Sequence, residues 1–278
     1  SNNELKSKDP VFYSVIYIIL TTKIFWETLQ NRISKFRIFI GQKISVIKNL
    51  IRKFKKLFCN FFETDKLVYA QNHWIEIFES PNISPLKKDK IYEQETTLFI
   101  RKYLNEGDTV WDVGANIGYF TLEFARSVGS QGKVLSFEPH PEIFKVLQRN
   151  VSRNKYQNIS LQNVACGEEA TFSKLYFSTE NEGNHKIVEN SSSKDSVKIK
   201  VVKLSTFIET HPPRLIKMDI EGAELLALRG LGADYLKYNR VDFVIEYHPY
   251  EMSFFDIEGE QVIDFFIDTG YKFRNLAF

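Results

Sequence analysis

Val110-Trp-Asp-Val-Gly-Ala-Asn-Ile-Gly118 reads as an apolar strand that ends on Asp112, passes through a glycine turn and enters the helical stretch Tyr119-Phe-Thr-Leu-Glu-Phe-Ala125. Gly114 and Gly118 allow a ligand to approach the backbone where strand gives way to helix, which is the geometry of a nucleotide-binding turn. Working outward, residues 109–113 and 133–137 read as the first two strands, 159–165 as a third, 215–219 as a fourth and 241–246 as a fifth. Helix-length segments separate them, among them 224–231, and further helices are expected over 92–104 and 259–269. Strands alternating with helices imply right-handed βαβ crossovers, hence an α/β fold with a Rossmann-like, doubly wound, mainly parallel sheet. Residues 171–177 and 197–202 break that rhythm. Both are β-rich, and the loop between them contains Asn190-Ser-Ser-Ser-Lys194. An inserted β-hairpin with a mobile tip is expected, either carrying substrate specificity or simply solvated.

The turn also speaks to the cofactor. A dinucleotide site repeats glycine as GxGxxG so that pyrophosphate can rest on the helix N-terminus, whereas here the later two positions are Asn116 and Tyr119. Asp112 would repel pyrophosphate but suits the ammonium of S-adenosylmethionine. Glu138, in Phe137-Glu-Pro139, ends the second strand, where a carboxylate can accept from both ribose hydroxyls; that feature fits NAD equally well. Small residues around Ala165 leave room for adenine. The candidate cofactor residues are therefore Asp112, Gly114, Ala115, Asn116, Gly118, Glu138, Pro139 and Ala165.

The fourth strand runs into Leu215-Ile-Lys-Met-Asp-Ile-Glu-Gly-Ala-Glu224, and the fifth into Val244-Ile-Glu-Tyr-His-Pro249. Strand four neighbours strand one in a doubly wound sheet, so Lys217, Asp219 and Glu221 approach the cofactor's reactive end, joined there by Glu246 and His248. Asp219 and Glu221 read as catalytic carboxylates or as a structural cap. His248 has the pKa range of a general base, or serves as a turn residue before proline. The candidate catalytic set is Asp219, Glu221, His248 and Lys217. No resident metal is expected, a divalent cation on Asp219 and Glu221 being the variant reading.

Composition adds a second region. Of the net charge of +2, residues 23–56 hold ten basic side chains against Glu27 alone, or +9, and the rest of the chain is correspondingly acidic by seven charges. Such a body would repel nucleic acid, which is not expected as a partner. Apolar positions Ile33, Phe36, Ile40, Ile44, Ile47, Ile51, Phe54 and Phe58 step by three or four, so residues 11–62 read as amphipathic helices. They would lie on an anionic lipid surface, or pack on the catalytic domain or a second subunit in a homo-oligomer. The uncharged run 11–22 is too short to span a bilayer, which needs about 20 apolar residues, and it lacks the flanks of a signal peptide. With only Cys59 and Cys166, a reducing, cytoplasmic setting is expected, peripheral at a membrane if the basic helices bind lipid. The division expected is 1–90 as helical extension and connector, and 91–278 as the catalytic domain.

On Asp112-Val-Gly-Ala-Asn-Ile-Gly-Tyr-Phe-Thr121, Phe137-Glu-Pro139, Lys217-Met-Asp-Ile-Glu-Gly-Ala-Glu224 and Glu246-Tyr-His248, the chain resembles the FkbM family of class I methyltransferases over about residues 95–274. The resemblance implies S-adenosylmethionine as donor and methyl transfer to oxygen, typically on sugar hydroxyls of polysaccharides, glycolipids or glycosylated metabolites. It also implies that Asp112, Gly114, Asn116 and Glu138 bind the cofactor, while Asp219, Glu221 and His248 line the acceptor side. Relative to the family, the terminal hairpin after Tyr271 reads as abbreviated. The alternatives are a non-catalytic, membrane-associated binding protein that keeps the fold, or a nicotinamide oxidoreductase, which the missing GxGxxG disfavours.

Overall fold

The computed structural model describes residues 15–19, 67–77, 86, 91–176 and 196–275. In chain order come β1 (Val15–Ile19), a hairpin of β2 (Leu67–Ala70) and β3 (His73–Glu76), α1 (Gln94–Tyr103), β4 (Thr109–Val113), α2 (Tyr119–Val128), β5 (Lys133–Phe137), α3 (Pro141–Asn154) and β6 (Ile159–Gln162). There follow β7 (Ala165–Cys166), β8 (Thr171–Tyr176), β9 (Ser196–Val202), β10 (Leu215–Met218), α4 (Glu224–Leu231), α5 (Ala233–Tyr238), β11 (Asp242–Glu246), α6 (Pro249–Met252), α7 (Gly259–Asp268) and β12 (Lys272–Asn275).

Seven strands form one sheet in the order β12-β1-β11-β10-β4-β5-β6, every neighbouring pair parallel. The winding reverses between β4 and β10, which is where ligands bind in such sheets. Alternate residues on each strand face opposite layers. Val110, Val134, Leu215 and Val244 join Ile100, Leu122, Phe124 and Leu147 of α1–α3, while Trp111, Leu135, Ile216 and Phe243 join Leu225, Leu228, Val262 and Phe266 of α4 and α7. Burying a side chain of this size contributes roughly 1.5–3 kcal/mol, so the two layers hold the sheet edge that carries the site.

The structure departs from the sequence pattern in three places. Val15–Ile19, in the stretch expected to be helical, is a parallel strand between β11 and β12, with Tyr17 opposite Val244 and Arg274. Its residues, VIYII, are β-branched or aromatic and favour a pleated sheet, and the clear three-to-four periodicity begins only at Ile33. Second, residues 67–77 form a hairpin where a connector was expected. Its turn is Gln71-Asn72, with φ of 53° and 70°, a conformation usually announced by Asn-Gly. Asn150 and Asn154 of α3 bind the backbone of Trp74 and Glu76, fastening the hairpin to the domain. Third, the expected third strand stops at Gln162, and Ala165–Cys166 pairs instead with β9. The antiparallel hairpin β8–β9 is present as expected, and β7 ties it to the body. Its tip (177–195), the basic helices expected over 20–62, and Cys59 lie outside the described residues. Among the described residues no helix is long and apolar enough to cross a membrane.

Candidate active site

The segments following β4, β5, β6 and β10 wall a cleft with about 770 Å³ of empty space, part of it open to solvent. After β4 the chain turns through positive φ at Gly114, Asn116 and Gly118. Gly114 and Ala115 donate their N–H groups to the Phe137 carbonyl at 3.0 and 2.9 Å. The Asn116 N–H donates to Glu138 Oε2 at 3.0 Å, and the His140 N–H donates to Oε1 at 2.8 Å. Burial pushes the Glu138 carboxyl up to about 7, opposed by these two N–H groups. Each carboxylate oxygen keeps a further lone pair, which suits a ribose diol. Phe137, Ile143, Val164, Ala165, Cys166 and Leu175 offer an apolar wall for a flat base.

After β10, the Asp219 N–H donates to the Val113 carbonyl at 3.0 Å. A Cβ on Gly114 would stand 1.9 Å from the Asp219 carbonyl oxygen, so the two loops touch backbone to backbone and only glycine fits. Glu224 is fully buried and its Oε1 accepts from the N–H groups of Ile220 (3.1 Å) and Gly222 (3.3 Å), fixing the turn. That turn delivers Asp219 and Glu221 to the end of the cleft. From β11, Glu246 Oε1 meets His248 Nε2 at 2.8 Å. From the turn before α1 comes Glu93, held at φ 39°. Glu93, Asp219 and Glu246 each present an oxygen within 4.8 Å of the others, a spacing that a hard divalent cation could also use.

Charge decides how this cluster behaves. Burial raises Asp219 to about 6, Lys217 opposing. Burial, then the charge of Asp219, raises Glu221 to about 8, and burial raises Glu93 to about 7. His248 moves the other way from most buried histidines. Burial lowers it, but the hydrogen bond and charge of Glu246, with Glu221 and Asp219, outweigh burial and raise it to about 9. Its partner Glu246 is pulled below the usual carboxylate range by His248, against burial.

Of the candidate cofactor residues, Gly114, Asn116, Glu138, Pro139 and Ala165 line the cleft. Ala115 and Gly118 shape the turn, and a Cβ on Gly118 would stand 2.4 Å from Leu147 Cδ1. Asp112 lies elsewhere. It is fully buried on the α2 face of the sheet, in a row with Lys217 and Ser136, and accepts from Thr121 Oγ1 at 2.6 Å. Lys217 is 4% exposed, 3.3 Å from Asp219 Oδ2 and 4.7 Å from the centre of the Phe120 ring, so it reaches the site through Asp219. Glu93 was not among the candidate site residues; the sequence places it only inside the helix expected over 92–104. The available signal was Tyr92-Glu93 immediately before the helix.

A parallel sheet switching between β4 and β10, a carboxylate after β5 placed for ribose, an apolar wall for a base and an anionic end suited to a sulfonium together define a Rossmann-like S-adenosylmethionine-dependent methyltransferase domain. The family described as the Methyltransferase FkbM domain matches residues 112–273, more than half of the chain, and the chain belongs to it. S-adenosylmethionine is the cofactor of this domain. Among curated relatives, Methyltransferase 1 of Beauveria bassiana is 30% identical over 156 residues, 48% of this chain and 61% of that protein. Hexuronic acid methyltransferase AglP of Haloferax volcanii is 28% identical over 159 residues, 56% of this chain and 62% of that protein. The chain thus spans about three fifths of the length of these relatives. A solved structure of an FkbM methyltransferase from Methylobacillus flagellatus is 20% identical, with a TM-score of 0.41, over 60% of this chain and 37% of that one.

Proposed function

We propose that the protein methylates a hydroxyl oxygen, on a sugar of a polysaccharide, glycolipid or glycosylated metabolite. The observation that carries this reading is the meeting of Asp219 and Glu221, at the end of the cleft, with the Glu246–His248 pair. The relative named as a hexuronic acid methyltransferase supports a sugar acceptor.

The bound cofactor supplies a methyl group on a cationic sulfur. That group would pass to the acceptor oxygen with its former bonding pair left on sulfur, and the hydroxyl proton must be taken up by the protein. Much of the rate would come from the cleft residues holding the acceptor hydroxyl in position against the donor. Asp219, raised only to about 6, is ionised at neutral pH and takes the proton. His248, raised to about 9, is already an imidazolium there. It serves as a hydrogen-bond donor that orients Glu246 and the acceptor, rather than as the base its residue type suggests. Lys217 holds Asp219 in place from behind.

Calorimetric titration with S-adenosylmethionine, S-adenosylhomocysteine and NAD, followed by transfer of labelled methyl to glycans, tests the reading. Binding of both sulfur ligands with label in an ether-linked sugar methyl is expected. Label that appears only in base-labile esters or on nitrogen would refute it.

A further inference from the structure

We propose that the acceptor brings hydrogen-bond donors and no negative charge next to its reacting hydroxyl, as a neutral polyol or an amino sugar does, and that Glu93, Asp219 and Glu246 select it. The inference rests on the reading of this edge as a sugar O-methylation site and adds the class of sugar.

The first argument is hydrogen-bond matching. The groups gathered here are carboxyls, acceptors wherever they are ionised: oxygens of Glu93, Asp219 and Glu246 lie within 4.8 Å of one another, with Glu221 beside Asp219 at the cleft. Glu93 Oε2 is shielded from solvent and accepts no hydrogen bond. A hydroxyl or ammonium supplies the missing donor, whereas an ionised carboxylate has only acceptors to offer. Leaving a buried polar atom unpaired is costly, so the cluster favours donor-rich ligands.

The second argument is charge. Glu93, Asp219, Glu221 and Glu246 face two cations, Lys217 and His248, whose fields reach them most strongly. Both cations are already engaged, Lys217 with Asp219 at 3.3 Å and His248 with Glu246 at 2.8 Å. Fully ionised, the set would carry two negative charges in excess; with Glu221 raised to about 8 and Glu93 to about 7, part of that excess is held as protons at neutral pH. Lys217 is buried behind Asp219, out of reach of a uronate carboxylate. Protons partly quench the excess in the empty site, and an added anion would have to draw in more of them.

The test uses the whole chain with tritiated S-adenosylmethionine on a glycan array holding neutral, amino and uronic acid saccharides, after calorimetry has established donor binding. Label on neutral or amino residues at about tenfold or more above uronic acid residues is expected, one like-charge contact near a site edge amounting to about a factor of ten. In Glu93→Gln that preference should shrink several-fold while neutral acceptors are still methylated. Label on uronic acid residues equal to or above neutral ones, with or without added magnesium, overturns the inference and leaves O-methylation standing. Donor binding with no labelled saccharide refutes the underlying reading and the inference with it.

Discussion

Glu246→Gln would strip His248 of its ion pair and decide which group can take the acceptor proton. In the native site His248 lies 2.8 Å from Glu246 and titrates at about 9 instead of 6.5, although burial alone lowers it. One pKa unit corresponds to about 1.4 kcal/mol, so the anions around the ring favour its charged form by about 3 kcal/mol beyond the burial they overcome. Glu246 is both the hydrogen-bond partner and the leading charge. Glu221 and Asp219 contribute less than Glu246, so its removal should bring the midpoint down to about 7 or lower. Proton NMR titration of the imidazole Hε1, assigned by its loss in His248→Asn, reads this directly. A native midpoint below 7, or a variant midpoint still near 9, would refute the electrostatic account and return His248 to the role of base.

The remaining predictions are briefer. Asp219→Asn should lower kcat by roughly 10²–10⁴-fold, the range for a general base, while calorimetry shows S-adenosylmethionine bound within a few-fold of the native affinity; an unchanged kcat would exclude Asp219 as proton acceptor. Glu138→Gln replaces the charge that accepts from Asn116 and His140, and should weaken the donor about 10–100-fold, the scale of one charge-assisted hydrogen bond; retained affinity would remove Glu138 from the ribose site. Folded Glu138 and Glu224 titrate at about 7 against an ordinary 4.5, so the folded state holds protons more tightly than the unfolded. Their contribution is therefore most favourable below 4.5 and is lost as pH rises through 7. His73, lowered to about 4 by burial and by Arg126 and Arg101, contributes the opposite trend, complete above 6.5 and lost as pH falls through 4. The urea midpoint should accordingly fall between pH 6 and 8.5 in the ligand-free protein, and a flat or rising midpoint would contradict the burial of these carboxyls.

Local signals carried most of the fold. Thr109–Val113 and Lys133–Phe137 occur as the apolar runs and glycine turn imply, because a buried parallel strand is a short-range pattern bounded by breakers. The slot of β1 was not legible. The short apolar run VIYII satisfies a strand or a buried helix turn alike, and its partners Val244 and Arg274 are more than two hundred residues away. The same limit applied at the site. Asp219 and Glu138 could be singled out because each directly follows a recognisable strand, and Glu221 because it sits in the turn after one. Glu93 could not, since its relevance comes from a left-handed turn that swings it from the start of α1 to the ends of β10 and β11.

Asp112 shows why a motif residue can be correctly singled out and wrongly placed. Its position at the end of β4 suggested a carboxylate facing the cofactor, but strand alternation sends side chains 112, 136 and 217 to the α2 face together. There Asp219, Glu93 and then Asp112 favour the charged form of Lys217 against burial, and Lys217 in turn contacts Asp219 at 3.3 Å. An ammonium buried beneath the site disfavours protonation of Asp219 without offering its own charge to a ligand. Asp112 thus adds to the field that keeps a cation under Asp219, and that cation opposes the burial that drives the Asp219 pKa upward. In the proposed reaction the basicity of Asp219 therefore depends on the charge beneath it as much as on the carboxylate itself.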